Sequence, residues 1–397
     1  MQQIPKEEID RRIRELQKRM RAEGFGAALI IQNADLYYFC GTVPQGYMFV
    51  PASGEPVLFV RKNPDRIRGE SPLQNIVPIQ APRDLPRLLS DCGYAEADRL
   101  GMELDVLPVN QFIRLRDILR PRDTVDISPL ILSIRSIKSE FEIAAMRTAA
   151  GFSDRMIAAA RAALREGMRE VELAAAIEAA ARMEGHPGFV RMRAFNQEVY
   201  WGAVVSGRDA AETNFIDFAE GGRGTCLALP SGAGPRPIRR GEPVMYDYVS
   251  VDKGYYIDQS RTLCLGKLPA ELDRAYRLSM DILRGMESML RPGTMVHELY
   301  AEAERIAESG GLGENLQGFG KNRAGFIGHG IGLELDEIPA VTRKGKATLQ
   351  SGMVLAIEPK FMFPGLGVVG VEDNYVIRDT GPERLTGAPY DVAVGEK

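Results

Sequence analysis

Val244-Met245-Tyr246-Asp247-Tyr248-Val249-Ser250-Val251 and Tyr255-Tyr256-Ile257-Asp258-Gln259 are two runs of β-branched and aromatic residues on either side of Asp252-Lys253-Gly254. This pattern predicts paired strands, 243–251 and 255–265, around a tight turn. A hairpin of that kind brings Asp247 and Asp258 close together on adjacent strands. Two carboxylates at such range repel, and one is forced to hold a proton. A cation between them removes the penalty.

Three more stretches downstream carry the same tension. Gly328-His329-Gly330-Ile331-Gly332 surrounds a histidine with glycines, so backbone and ligand can approach closely. Leu355-Ala356-Ile357-Glu358-Pro359 ends an apolar run on a glutamate, and Val368-Val369-Gly370-Val371-Glu372-Asp373 does so again. Acidic residues embedded in apolar strands are costly unless paired or bound to metal. Asp247, Asp258, Glu358 and Glu372 with His329 form a mixed oxygen and nitrogen set. It suits Mn²⁺, Fe²⁺, Co²⁺ or Zn²⁺ and is too oxygen-rich for a thiolate zinc site.

Upstream of the hairpin the chain is helical. Ser139 is placed to cap a long Ala-rich helix that Gly167 would end, and a second helix covers 170–184. Beyond the hairpin, 270–290 and 296–308 predict two further helices, the latter with Val296, Leu299, Ala303 and Ile306 inward. Short Gly-rich strands follow over 328–377. Helices followed by strands therefore occur twice, which predicts two similar halves. Before Ser136-Ile137-Lys138-Ser139-Glu140 the signals alternate instead. Ile9, Ile13, Leu16 and Met20 share a helical face ended by Gly24, and 27–31, 47–50 and 56–60 read as strands. Such alternation predicts an α/β domain.

At 397 residues, two domains are the natural division. Hydrophobic content of 45% with 26% charged residues is that of a globular protein. A net charge of −4 and the lack of any Lys/Arg-rich run argue against a nucleic-acid binder. The charged N-terminus is not a secretory signal, and no stretch approaches the ~18 apolar residues of a membrane span. Cys40, Cys92, Cys226 and Cys264 are scattered without a CxxC pair, read as small core hydrophobes, and fit a reducing cytoplasm.

The order Asp247, Asp258, a distant Gly-His-Gly-Ile-Gly, Glu358 before Pro359, then Glu372 resembles the pita-bread metallopeptidases: methionine aminopeptidase, aminopeptidase P and prolidase. Residues 12–24 and 33–41 resemble the N-terminal domain of prolidase and creatinase. The resemblance implies an α/β (α+β) fold class, with a creatinase/prolidase-like domain over 1–134 and a pita-bread domain with pseudo-two-fold α–β halves over 135–397. It implies two divalent ions, manganese first, with Asp258 and Glu372 bridging, Asp247 completing one site and His329 with Glu358 the other. Glu358 is then the proton shuttle. The implied enzyme is an Xaa-Pro peptidase-like hydrolase of a small peptide or peptide-like amide, cytoplasmic and homodimeric, with no nucleic-acid or membrane partner.

The chain departs from that family at three places. A second histidine is replaced by Asp336, another is missing from Leu229-Pro230-Ser231-Gly232, and an arginine that would grip a terminal carboxylate is Gly370. Of the three histidines, His186 and His297 lie elsewhere. An ionised Asp336 cannot donate a hydrogen bond. Three roles are open to it: a base, an attractant for a cationic substrate, or a partner of nearby backbone. Tyr200, Trp201 and Phe215 are candidates for a pocket wall. The same scaffold in other branches opens creatine or ectoine, or cleaves a sulfonium propionate. A binding protein without turnover is a further alternative, against which stands the complete ligand set.

Overall fold

The computed structural model describes residues 3–94, 98–193, 195–196, 198–213 and 215–395. The chain separates into two compact units, Met1–Arg135 and Ser136–Lys397. The first is built on a mixed six-stranded sheet. Its inner strand Ala27–Ile30 pairs antiparallel with Gly46–Pro51 and parallel with Arg99–Met102. The strand is buried along its whole length, which explains why it carries no polar alternation. The amphipathic helix Lys6–Ala22 buries Ile9, Ile13, Leu16 and Met20, the predicted face.

In the second unit the helix Glu140–Ala163 starts at a capping box. Ser139 accepts from the Glu142 N–H while Glu142 accepts from the Ser139 N–H. It is followed by the helix Glu170–Met183 and by a sheet whose inner pair is Val244–Asp252 and Tyr255–Leu265. The helices Ala270–Glu287 and Val296–Ser309 then precede a second sheet, containing Gly328–Gly330, Val354–Ile357, Asp373–Arg378 and Gly381–Arg384. Each half buries its own core, one around Ile157, Ile177, Val204 and Tyr246, the other around Ile282, Leu299, Leu355 and Tyr375. The two sheets meet where Arg261 bridges antiparallel to Val371. Acidic side chains from both halves converge at this seam.

Of the cysteines, Cys40 and Cys264 are buried as expected, but Cys226 is exposed on an irregular segment, which corrects its reading as a core residue. Among the described residues no helix is long and apolar enough to cross a membrane.

Candidate metal centre

The hairpin that opened the sequence reading closes through two residues, Lys253 and Gly254, with φ of 49° and 83°. Positive φ at both positions is the turn whose twist matches that of the strands. The resulting register sets Asp247 opposite Ser260 and Asp258 opposite Val249. Side chains alternate along a strand, so Asp247, Val249, Asp258 and Ser260 share one face. The opposite half supplies the other groups. His329 pairs with Ala356 on adjacent strands, and Glu358 and Glu372 lie just beyond Val354–Ile357 and Gly367–Gly370.

Asp258, His329 and Glu372 come together, each offering one ligand atom, with these atoms within 4.8 Å of one another. Asp258 Oδ1 and Glu372 Oε1 are buried and have no hydrogen-bond partner. Burial first, and then the neighbouring carboxylates, push both groups well above the usual carboxylate range. Two buried acceptor oxygens without donors, aimed at an imidazole, are what a divalent cation satisfies. The three residues therefore fit a metal ion.

His329 is prepared for that role. Its Nδ1 lies 3.0 Å from the Gly330 carbonyl oxygen, which requires Nδ1 to carry the proton and leaves the Nε2 lone pair free. Nε2 in turn faces Glu358 Oε1 at 3.8 Å and Glu372 Oε1 at 4.0 Å. Glu372 is held by Ser260, whose hydroxyl donates to Oε2 at 2.6 Å, and by the Arg261 guanidinium on its carbonyl at 2.8 Å. Arg261, itself buried, is paired with Asp373 at 2.8 Å.

The other two expected ligands are engaged differently. The ammonium of Lys360 donates to Asp247 Oδ2 at 2.6 Å, to Glu358 Oε2 at 3.1 Å and to Glu220 Oε1 at 3.2 Å. Burial alone would push the Asp247 carboxyl up. The Lys360 charge, with hydrogen bonds from Glu220, Lys360 and Ser260, outweighs it and holds Asp247 well below the usual range. Glu220 goes the other way, raised by burial and by Asp247 beyond what Lys360 offsets. Lys360 and Glu220 are absent from the set expected from sequence. They divide the five expected residues into a triad, Asp258, His329 and Glu372, whose two carboxyls carry partnerless oxygens, and a pair, Asp247 and Glu358, bonded to a lysine.

Asp336 lies behind His329, not in front of it, with Oδ1 3.4 Å from Nδ1. It is positioned to orient the imidazole. The loop it belongs to is fixed by Glu337, which accepts from the Leu333 N–H at 2.9 Å and pairs with buried Lys138 at 3.0 Å. His186 does not replace a missing histidine. Its Nδ1 accepts from the Gly188 N–H at 2.9 Å, and its ring stacks on Trp201 at 4.0 Å. His297 is half-buried, with Nδ1 3.1 Å from the Gly345 carbonyl oxygen.

Above the acidic cluster opens a pocket with a cavity of about 50 Å³, with Tyr200, Ile216, Phe218 and Leu335 on its apolar walls and Asp258, His329, Glu358 and Lys360 at its floor. Ser231 also lines it, at the place of a missing histidine. Tyr200 is thus a wall residue as expected, whereas Trp201 packs in the core and Phe215 is exposed.

The sequence model of metallopeptidase family M24 matches residues 144–379, and that of the creatinase/prolidase N-terminal domain matches residues 12–137. The Xaa-Pro dipeptidase of Pyrococcus furiosus is 26% identical over 379 residues, covering 94% of this chain and 97% of the relative. The crystal structure of the prolidase from Pyrococcus horikoshii superposes with a TM-score of 0.81 at 25% identity, over 96% of this chain and 99% of that one. The X-Pro aminopeptidase from Thermotoga maritima, at 21% identity and a TM-score of 0.80 over 96% of this chain and 99% of that one, shares the fold.

Proposed function

The chain belongs to metallopeptidase family M24, and from that premise we propose that it hydrolyses the C–N bond of a small peptide or peptide-like amide, as an Xaa-Pro peptidase does. The observation that carries the reading is the pair of buried, partnerless oxygens on Asp258 and Glu372 facing His329 at the floor of an open pocket. A divalent ion bound there supplies Lewis-acid polarisation of the scissile carbonyl and brings the pKa of a water toward neutrality.

The chain's own residues supply the rest. Gly330 and Asp336 hold the His329 ring in place. Glu358 lines the pocket, and burial lifts its carboxyl above the ordinary range against the opposing charge of Lys360. A carboxyl of that kind is suited to take a proton from the attacking water and return it to the leaving nitrogen. Tyr200, Ile216 and Phe218 offer an apolar wall to the substrate's side chain. The reading extends to manganese as the ion and to a cytoplasmic homodimer, supported by the family resemblance.

The test is turnover of a panel of Xaa-Pro dipeptides and longer Xaa-Pro peptides by the Mn²⁺-loaded protein. Glu358→Gln should lower kcat by about 10²–10⁴-fold, the range for a positioned acid–base group, with thermal stability retained. Unchanged kcat in that variant would remove Glu358 from the chemistry. A second reading rests on one feature: position 370, where an arginine would hold a free carboxyl terminus, is a buried glycine. The same panel therefore includes acyl-amino acids and cyclic amidines. Turnover of these with no Xaa-Pro cleavage would favour a non-peptidase on this scaffold.

A further inference from the structure

We infer that this centre takes a single divalent ion, held by Asp258, His329 and Glu372, and that the Lys360 ammonium permanently occupies the place between Asp247 and Glu358 where a second ion would lie. The inference rests on the metal-dependent reading above and narrows it. An ammonium has three N–H donors and no acceptor. Here all three find carboxylates, on Asp247, Glu358 and Glu220, at 2.6 to 3.2 Å. Those are ordinary hydrogen-bond distances. The same oxygens cannot serve both cations, and a dication placed among them would sit against a fixed positive charge.

The lysine is built in. Lys360 is 1% exposed, and its backbone is fixed at both ends. Its N–H donates to the Gln317 side-chain oxygen at 2.8 Å, and its carbonyl accepts from the Gln317 N–H at 2.9 Å. Across the hairpin it faces Gly370. A Cβ on residue 370 would lie 2.7 Å from both Lys360 Cα and Lys360 Cγ. The bare glycine opposite leaves room for the Lys360 Cγ, although the Pro359 carbonyl oxygen at 2.6 Å and the Lys360 Cα at 2.7 Å crowd a Cβ there as well.

The separation of roles is visible in the oxygens themselves. Within the triad one oxygen of Asp258 and one of Glu372 lack any donor, whereas Asp247 Oδ2 and Glu358 Oε2 are bonded to the lysine and Glu220 Oε2, itself without a hydrogen bond, lies 3.1 Å from the ammonium. Asp247 is then a partner of Lys360 and not a ligand.

Equilibrium dialysis of the full chain against Mn²⁺, with metal counted by plasma mass spectrometry, decides the matter without reference to activity. The expected stoichiometry is one ion per chain, lost in Asp258→Asn and retained in Asp247→Asn. Lys360→Gly, which frees the carboxylates and the space, should bind two. Two ions in the unmodified protein, or loss of the ion in Asp247→Asn, overturns the inference while leaving the metallohydrolase reading intact. No bound ion under any loading overturns both. Should Lys360→Gly fail to fold, the unmodified chain and Asp247→Asn still decide, and an anomalous-scattering map of Mn²⁺-soaked crystals, with one peak at the triad and none beside Asp247, gives the same answer.

Discussion

An imidazole serves as a ligand when one nitrogen is aimed and its lone pair is kept free, and His329 meets both conditions through a neighbour one residue away, the Gly330 carbonyl. His186 shows the opposite use of the same side chain. Burial first, and the Arg182 guanidinium second, push its pKa down to about 4 against a backbone hydrogen bond at Val249 that raises it. A histidine whose folded pKa is depressed is neutral in the fold, so the unfolded chain binds a proton first as pH falls. The stability it contributes is fully present above the ordinary histidine range, about 6.5, and is lost as pH falls toward about 4. His186→Asn keeps an acceptor for the Gly188 N–H and removes the titration. Its stability, measured by urea denaturation from pH 7 to 4, should fall less steeply, by up to about one proton's worth of slope. A slope identical to that of the unmodified protein would show that His186 does not titrate with unfolding. At this scale the sequence exposed Asp258, His329 and Glu372, because acids and a lone imidazole in apolar surroundings demand a reason. Lys360 offers the same signal, opening Lys360-Phe361-Met362-Phe363, but a lysine on a strand usually extends its amine to water. Only the three carboxyls that meet its ammonium, brought together by the fold, keep it inside. Glu220 lies in a glycine-rich irregular segment with no period to read.

Elements place these residues by alternation and register. The Asp247/Asp258 hairpin was legible because both strands are rich in β-branched and aromatic residues and the turn carries a glycine where φ must be positive. Ser139 and Glu142 marked the start of the Glu140–Ala163 helix by a capping box that depends only on local spacing. The pairing of Lys360–Phe363 with Gly367–Gly370 was less accessible, since a short glycine-rich stretch admits several registers that differ in which side chains face inward. That register has a testable consequence. Gly370→Ala puts a methyl 2.6 Å from the Pro359 carbonyl oxygen and 2.7 Å from Lys360 Cα and Cγ. Overpacking of this kind destabilises by about 1–3 kcal/mol. Urea midpoints should show that loss, with part of it recovered in a Lys360→Gly background, where the contact with Cγ disappears and those with Pro359 and Cα remain. A Gly370→Ala protein as stable as the unmodified one would mean the two strands are not paired in this register.

For the whole molecule, the centre sets a debt between folding and binding. Asp258 and Glu372 are brought together from two halves with separate cores, and burial combined with repulsion from neighbouring carboxylates makes their convergence unfavourable until a metal ion joins them. The fold accepts this because each half is stabilised by its own packing, with Arg261 and Asp373 tying the sheets at the seam. An ion that binds only the folded state then stabilises it by mass action, by about 2.7 kcal/mol at a concentration 100-fold above Kd. For a unit of this size each kcal/mol raises Tm by roughly 2–4 °C. Mn²⁺ at that excess should therefore raise the unfolding temperature by about 5–10 °C over the chelator-treated protein. Asp258→Asn should abolish the increase. It should also leave the metal-free protein at least as stable as the unmodified chain, because it removes one of the crowded carboxyls while the neighbouring oxygens keep their own positions. Differential scanning calorimetry of both proteins, with and without Mn²⁺, measures all four values. A metal-free Asp258→Asn protein that melts several degrees below the metal-free parent would show that Asp258 supports the fold through contacts of its own, and that its burial is structural instead of a site kept ready for a cation.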